Sequence, residues 1–126
     1  MAGEEIPDTK PDAQPGQLSV VATATDGIRV LTFAGEIDND SGETFRQALD
    51  ASDTTYPCVV VDMRRVTFMD STGINIIIAA HHTATTAGGW LRLAAVTDPV
   101  MRTLYIVGLD TLIDCYPTPR EALAGR

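Results

Sequence analysis

The run Val59-Val60-Val61 has no polar residue to alternate with, and β-branched side chains fill it. A strand of that kind is buried on both faces, which requires structure above and below it. From Ile74 the period changes, because Ile74, Ile77, Ile78 and His81 fall on one face of a helix. A buried strand handing over to a helix constrains the chain to an α/β arrangement, and the handover is Asp70-Ser71-Thr72-Gly73. That tetrapeptide lies where a helix leaves backbone N–H groups unpaired and carries the positive end of its dipole. A hydroxyl there can cap the helix, and a phosphate attached to it would sit at a natural anion site, so Ser71 is the residue of first interest.

Turn and cap signals divide the rest of the chain. Residues 18–24 alternate Leu18, Val20 and Ala22, whereas 28–34 carry Ile28 and Val30 on one face and Leu31 and Phe33 on the other. Asp26-Gly27 between them predicts a two-residue type I′ hairpin. Gly35-Glu36-Ile37-Asp38 ends the second strand, and Asn39, Asp40 and Ser41 offer N-caps for a short helix with Phe45, Ala48 and Leu49 at i, i+3, i+4. Pro57 closes the loop before the central strand, and Gly88-Gly89 stops the helix that begins near Ser71. Residues 90–95 form a strand with Leu91, Leu93 and Ala95 on one face. Asp98 caps the next helix with Pro99 at its first position, and Gly108 ends it. Residues 112–116 form a last strand, and Thr118-Pro119-Arg120-Glu121 is a capping box that opens a C-terminal helix. The order β-β-α-β-α-β-α-β-α implies right-handed crossovers in an α/β single domain: a four- to five-stranded mixed β-sheet with about four packed α-helices. The run at Val59 is central, and Ser71 lies in the first turn of its helix.

At 126 residues the chain is one domain with room for a core that needs no metal or disulfide. Its net charge of −8, with one Lys against eight Arg, disfavours nucleic acid and anionic membrane and favours a partner that presents basic groups. Cys58 and Cys115 lack C-x-x-C spacing and read as buried reduced thiols. No apolar stretch approaches the ~18 residues of a membrane span and no signal pattern opens the chain, so the expected location is cytoplasmic. Residues 1–17 hold Pro7, Pro11 and Pro15 with Glu4, Glu5, Asp8 and Asp12, and read as an acidic, disordered tail ahead of a domain over 18–126.

Catalytic readings of these residues are incomplete. An aspartic-protease Asp-Ser-Gly loop is interrupted by Thr72, and Met69 stands where a G-x-S-x-G elbow has its first glycine. Asp38-Asn39-Asp40 has a D-x-D outline, but no further ligands follow at useful spacing. His81 and His82 are adjacent on a helix, about 100° apart, and do not face one metal together. Gly88-Gly89 is a helix stop rather than a phosphate cradle. No cofactor, metal or catalytic residue is therefore expected.

Gly35-Glu36-Ile37-Asp38, the run from Val61 to Gly73, Gly89-Trp90-Leu91-Arg92-Leu93 and Gly108-Leu109 resemble, in order and spacing, the STAS domain family of anti-sigma factor antagonists. The resemblance covers the chain from Leu18 onward. It implies a bacterial partner-switching protein that is not an enzyme. The unphosphorylated antagonist binds an anti-sigma factor serine kinase and releases the sigma factor. The kinase then phosphorylates the antagonist, and a separate serine phosphatase reverses the modification. By position the phosphoacceptor is Ser71, with Asp70, Thr72, Gly73 and Asn75 as its partner-binding surroundings, and Asp38 corresponds to the acidic residue beside the loop. The bland alternatives are that Ser71 only caps its helix and that Asp38 only caps a strand end. A STAS module that binds a partner without kinase control is the remaining functional alternative. The expected assembly is a monomer or weak dimer.

Overall fold

Asp26 and Gly27 take φ of 52° and 80°, left-handed at both central positions as a type I′ turn needs, and this turn sets the register of the opening hairpin. In the computed structural model, which describes residues 18–50 and 57–125, strand β1 (Leu18–Thr25) runs antiparallel to β2 (Ile28–Ile37) with Thr25 opposite Ile28. The chain continues through α1 (Gly42–Leu49), β3 (Cys58–Met69), α2 (Ser71–Thr86), β4 (Trp90–Ala94) and α3 (Asp98–Val107). A 3-10 turn (Leu109–Thr111), β5 (Cys115–Tyr116) and α4 (Pro119–Ala124) complete it. The expected order of elements is observed. The five strands lie in the order β1-β2-β3-β4-β5, and every neighbouring pair except the hairpin is parallel. The acidic tail expected over 1–17 lies outside the described residues.

The central strand is buried on both faces, as its composition requires. Val59, Val61 and Met63 point to a large core with Leu31, Phe33, Leu91 and Leu93, covered by Phe45 of α1, Ile74 and Ile77 of α2, and Val100 and Leu104 of α3. Val60 points the other way, into a smaller cluster with Ala94 and Ala122, flanked by Trp90, Tyr116 and Leu123. Among the described residues, the short α4 is the one helix that contributes to that second cluster, and over β1 Val21 on the same face is 63% exposed. Among the described residues, one face of the sheet is covered by α1, α2 and α3 except at the Ala22 and Ala24 end of β1, and the other is partly covered.

Two bulges shape β3. Thr32 pairs with Asp62 and Ala34 with Arg65, so two residues of β3 oppose Phe33 alone; Gly35 pairs with Val66 and Glu36 with Phe68, leaving Thr67 as a second surplus residue. The result is a period of three in burial: Met63, Val66 and Met69 are buried, whereas Arg64, Arg65, Thr67 and Phe68 are exposed. Both bulges are held by side chains. The buried Asp62 carboxylate accepts from Arg64 N–H at 3.1 Å, and the Thr97 hydroxyl donates to Val66 O at 2.7 Å.

Three expected boundaries shift. α3 begins at Asp98 with Thr97 in the cap position, because the Thr97 hydroxyl is spent on Val66 and Asp98 is already helical. The last strand begins at Cys115 rather than at residue 112, because Leu112 closes the 3-10 turn and is exposed while only Ile113 turns inward. β4 ends at Ala94, since Ala95 takes a φ of 55° that no strand allows. The C-terminal capping box is as expected, with Thr118 Oγ1 accepting from Glu121 N–H at 3.1 Å.

Arg92 secures α4. Its Nη1 donates to Ala122 O at 3.0 Å, and its guanidinium lies 3.7 Å over the Trp90 ring. A charged hydrogen bond to a helix-end carbonyl and a partly exposed cation–π contact together contribute about 2 kcal/mol. Arg92→Ala should therefore lower unfolding stability in urea by about that amount, with amide exchange rising most in α4.

Candidate functional site

Strands β2 and β3 finish side by side, with Ile37 opposite Met69, so the segments that follow them emerge at the same carboxyl edge of the sheet. Such edges are where open α/β sheets place their functional loops. Asp70 N–H donates to Ile37 O at 3.2 Å, which extends the pairing by one residue and brings Asp38 and Asp70 to adjacent strand ends.

Asp70, not Ser71, caps α2. It has extended backbone angles, and its carboxylate accepts from Thr72 N–H at 2.9 Å. Ser71 is therefore the first helical residue, exposed, and its hydroxyl makes no hydrogen bond among the described residues. The expectation that the Ser71 hydroxyl caps the helix is corrected on this point: a carboxylate one residue earlier reaches the N2 amide with better geometry and charge. Asn75, one turn further on, is exposed on the same side of α2. Thr72 is half-buried, and its methyl faces Gly42.

Gly73 is buried. A Cβ at this position would stand 2.6 Å from Met69 Cγ and 2.8 Å from Ile37 Cγ2, so only glycine lets the start of α2 press against both strand ends. Gly73 is thus buried at the junction of α2 with both strand ends and helps to fix where Ser71 stands.

Asp38 is half-buried and its Oδ1 accepts from Asp40 N–H and Ser41 N–H, each at 3.0 Å. Of the three N-cap candidates before α1, Ser41 occupies the cap position without capping. Its hydroxyl instead donates to Glu36 O at 2.6 Å and accepts from Asp38 N–H at 3.0 Å. Asp38 thus has the strand-end capping geometry, with its second carboxylate oxygen making no hydrogen bond among the described residues.

The charge around Ser71 is negative. Asp38, Asp40 and Asp70 form no ion pair among the described residues, and the nearby Glu43 is engaged by Arg46, whose guanidinium holds that exposed carboxyl below its usual range. Phe68, 46% exposed and opposite Glu36, adds a large apolar side chain to the same edge. Phe68, Ser41 and Gly42 were not singled out from the sequence as site residues. The signal for Phe68 was present only in hindsight of the bulges, since simple alternation does not say that it faces outward. Elsewhere, Cys58 and Cys115, expected as buried thiols, are free and half-buried, and the Cys115 thiol is pushed up to about 11 by burial and the Asp110 and Asp114 charges.

Fold and site together define an α/β domain that presents a serine loop at the carboxyl edge of a mixed sheet. Residues 19–122 match the STAS domain family, and the chain belongs to it. An anti-sigma F factor antagonist of Paenibacillus polymyxa is 26% identical over 99 residues, covering 77% of this chain and 85% of that protein. An anti-sigma-B factor antagonist of Listeria monocytogenes is 30% identical over 91 residues, covering 71% of this chain and 79% of that protein. Among solved structures, an anti-sigma factor antagonist from Mycobacterium paratuberculosis aligns with a TM-score of 0.81 at 28% identity, over 89% of this chain and 96% of that one.

The cap assignment separates two neighbouring substitutions. Asp70→Ala should cost about 1 kcal/mol by chemical denaturation, whereas Ser71→Ala should change stability by less than about 0.5 kcal/mol. Gly73→Ala should be the most destabilising of the three, by about 2–3 kcal/mol, because it overpacks the junction with Met69 and Ile37.

Proposed function

We propose that this protein is an anti-sigma factor antagonist whose unphosphorylated form binds an anti-sigma factor serine kinase and releases the sigma factor. Phosphorylation of Ser71 by that kinase switches it off, and a serine phosphatase restores it. The observation that carries this reading is the placement of Ser71: an exposed hydroxyl with no hydrogen bond among the described residues, at the first position of a 16-residue helix, next to the Asp70 cap and at the sheet edge where the Asp38 strand end also lies. The kinase supplies ATP and the transfer chemistry; this chain supplies the acceptor and the surface around it.

The switch is electrostatic. A phosphoserine adds roughly −1.5 to −2 charge, and at a helix N-terminus that charge is compatible with the existing backbone. It joins Asp38, Asp40 and Asp70, none of which has a cationic partner among the described residues. Docking then has to bury an unpaired dianion in a surface fitted to a hydroxyl, at a penalty of several kcal/mol. Thr72 is the other hydroxyl in the loop, but it is half-buried against Gly42 and less accessible to a kinase.

Asp38, Asp70, Thr72 and Asn75 surround Ser71 in the partner-facing surface, and Phe68 supplies an apolar anchor beside them. A desolvated aromatic ringed by polar groups is the usual form of an interface hot spot. A net charge of −8 suits a partner with a basic docking face and not nucleic acid or an anionic membrane. Among the described residues no helix is long and apolar enough to cross a membrane. The cytoplasm is the compartment in which such a kinase and sigma factor act, and a monomer or weak dimer leaves the Ser71 edge available.

Incubation with ATP and the cognate kinase, followed by intact-mass analysis, should add one phosphate to the unsubstituted chain and none to Ser71→Ala. Ser71→Ala should still bind the kinase. Ser71→Glu should fold normally but bind about 100-fold more weakly, corresponding to roughly 3 kcal/mol of buried charge. If Ser71→Glu binds as tightly as the unsubstituted protein and is phosphorylated as fast, the acceptor is not Ser71. If no variant takes phosphate yet the partner binds, the domain is a docking module without kinase control.

The anchor role of Phe68 has its own measurement. Phe68→Ser should weaken kinase binding at least about tenfold while changing stability by less than about 1 kcal/mol, as expected for an exposed hot-spot side chain. Unchanged affinity by calorimetry would remove Phe68 from the interface.

A further inference from the structure

The turn between β2 and α1 is closed on itself. Asp38 N–H donates to Ser41 Oγ at 3.0 Å, Ser41 N–H returns a bond to Asp38 Oδ1 at 3.0 Å, and Asp40 N–H reaches the same oxygen at 3.0 Å. The Ser41 hydroxyl completes the bracket by donating to Glu36 O at 2.6 Å, and the residue is only 5% exposed. A network closed by several mutual bonds around a buried hydroxyl has little freedom to shift. The next residue, Gly42, opens α1 and is buried against α2: a Cβ on it would lie 2.7 Å from Thr72 Cγ2. The beginnings of α1 and α2 therefore abut at Gly42 and Thr72, one residue from Ser71.

We infer that Asp38 is a positioning residue, which through Ser41 and Gly42 braces Thr72 and so fixes how Ser71 is presented. This inference rests on the phosphoacceptor reading of Ser71 and deepens it. Asp38 Oδ1 is committed twice to backbone amides, so removing the side chain releases the bracket, whereas replacing the carboxylate by an amide keeps the accepting oxygen. Position and charge can thus be separated at one residue. A displaced hydroxyl slows transfer after docking, because reaction within a complex depends on near-attack geometry. Loss of an attractive charge acts on docking itself.

The test compares Asp38→Asn with Asp38→Ala, and Gly42→Ala with the pair Gly42→Ala/Thr72→Ser, in which the colliding methyl is removed. Melting curves establish that each variant is folded. One readout is amide exchange at Thr72, whose N–H is held by Asp70; the other is the phosphorylation rate with the cognate kinase. Asp38→Ala and Gly42→Ala should each speed Thr72 exchange about tenfold, as a local opening does. Each should also lower phosphorylation about tenfold, with the fall in kcat larger than any rise in KM. Asp38→Asn should keep Thr72 exchange and kcat within about threefold of the unsubstituted chain, with the lost charge falling on KM, and the double variant should return to within about threefold of Thr72→Ser alone. The inference is overturned if Asp38→Asn speeds Thr72 exchange and lowers kcat as much as Asp38→Ala does, or if Gly42→Ala alters neither readout. Absence of phosphate on every chain, the unsubstituted one included, defeats the phosphoacceptor reading instead, and Thr72 exchange still decides whether the bracket braces α2.

Discussion

Parallel pairing of β2 with β3 is the contact on which the site depends, and the two strands reach the same edge only because β3 carries two surplus residues in bulges. Without the bulges, the register set by Ile28 opposite Cys58 would run on unshifted, and Ile37 would no longer meet Met69. Asp70 N–H would lose Ile37 O, and Asp38 and Asp70 would not lie at adjacent strand ends. The bulges also rotate the strand so that Met63, Val66 and Met69 all enter the core while Phe68 faces out. A local break in the pleat therefore sets the length match, the packing under α2 and the apolar side chain beside Ser71.

Much of this was readable in the sequence because it rests on local chemistry. Asp26-Gly27, Gly88-Gly89, Gly108 and the Thr118 capping box each specify a backbone geometry that few other residues tolerate, and each marks an element boundary as expected. The run at Val59 gave a central strand buried on both faces, and the change of period at Ile74 gave its helix. What was not readable depends on tertiary partners. The period of three from Met63 to Met69 fits neither an unbroken strand nor a helix, since it comes from a register that β2 imposes. Asp70 and Ser71 are both good caps by residue type, and only the angle at which the chain leaves β3 decides between them. Asp98 reads as the cap from the sequence, because the bulged carbonyl of Val66, which claims the hydroxyl of Thr97 in the cap position, is remote in sequence.

The same geometry divides the motif residues into those that hold the edge in place and those that face outward. Gly73 and Ser41 are buried and work by contact, Asp70 and the Oδ1 of Asp38 are engaged with backbone amides, and Ser71, Asn75 and Phe68 are exposed. A stretch that looks uniform as a signature is thus built from a packed foundation and a thin outward-facing layer. Substitutions in the first group should change stability and presentation together, whereas under the proposed function substitutions in the second should act on partners while leaving the fold unaltered.

That division bears on how such a switch can work. The amides at the start of α2 are ordered by Asp70, the helix is packed on Met69 and Ile37 through Gly73, and α1 abuts it at Gly42. A phosphate on Ser71, as proposed, would meet a tightly packed helix start beside carboxylates that form no ion pair among the described residues. Refolding would have to overcome the packing of the central core, where Ile74 and Ile77 are buried against the sheet. Under the proposed phosphorylation of Ser71, the modification would act through the charge it adds at a fixed point, and discrimination would pass to the partner surface that must desolvate it. A rigid acceptor would then make the two states differ in one property only, which is the condition for a kinase to recognise its substrate and reject its product with the same face.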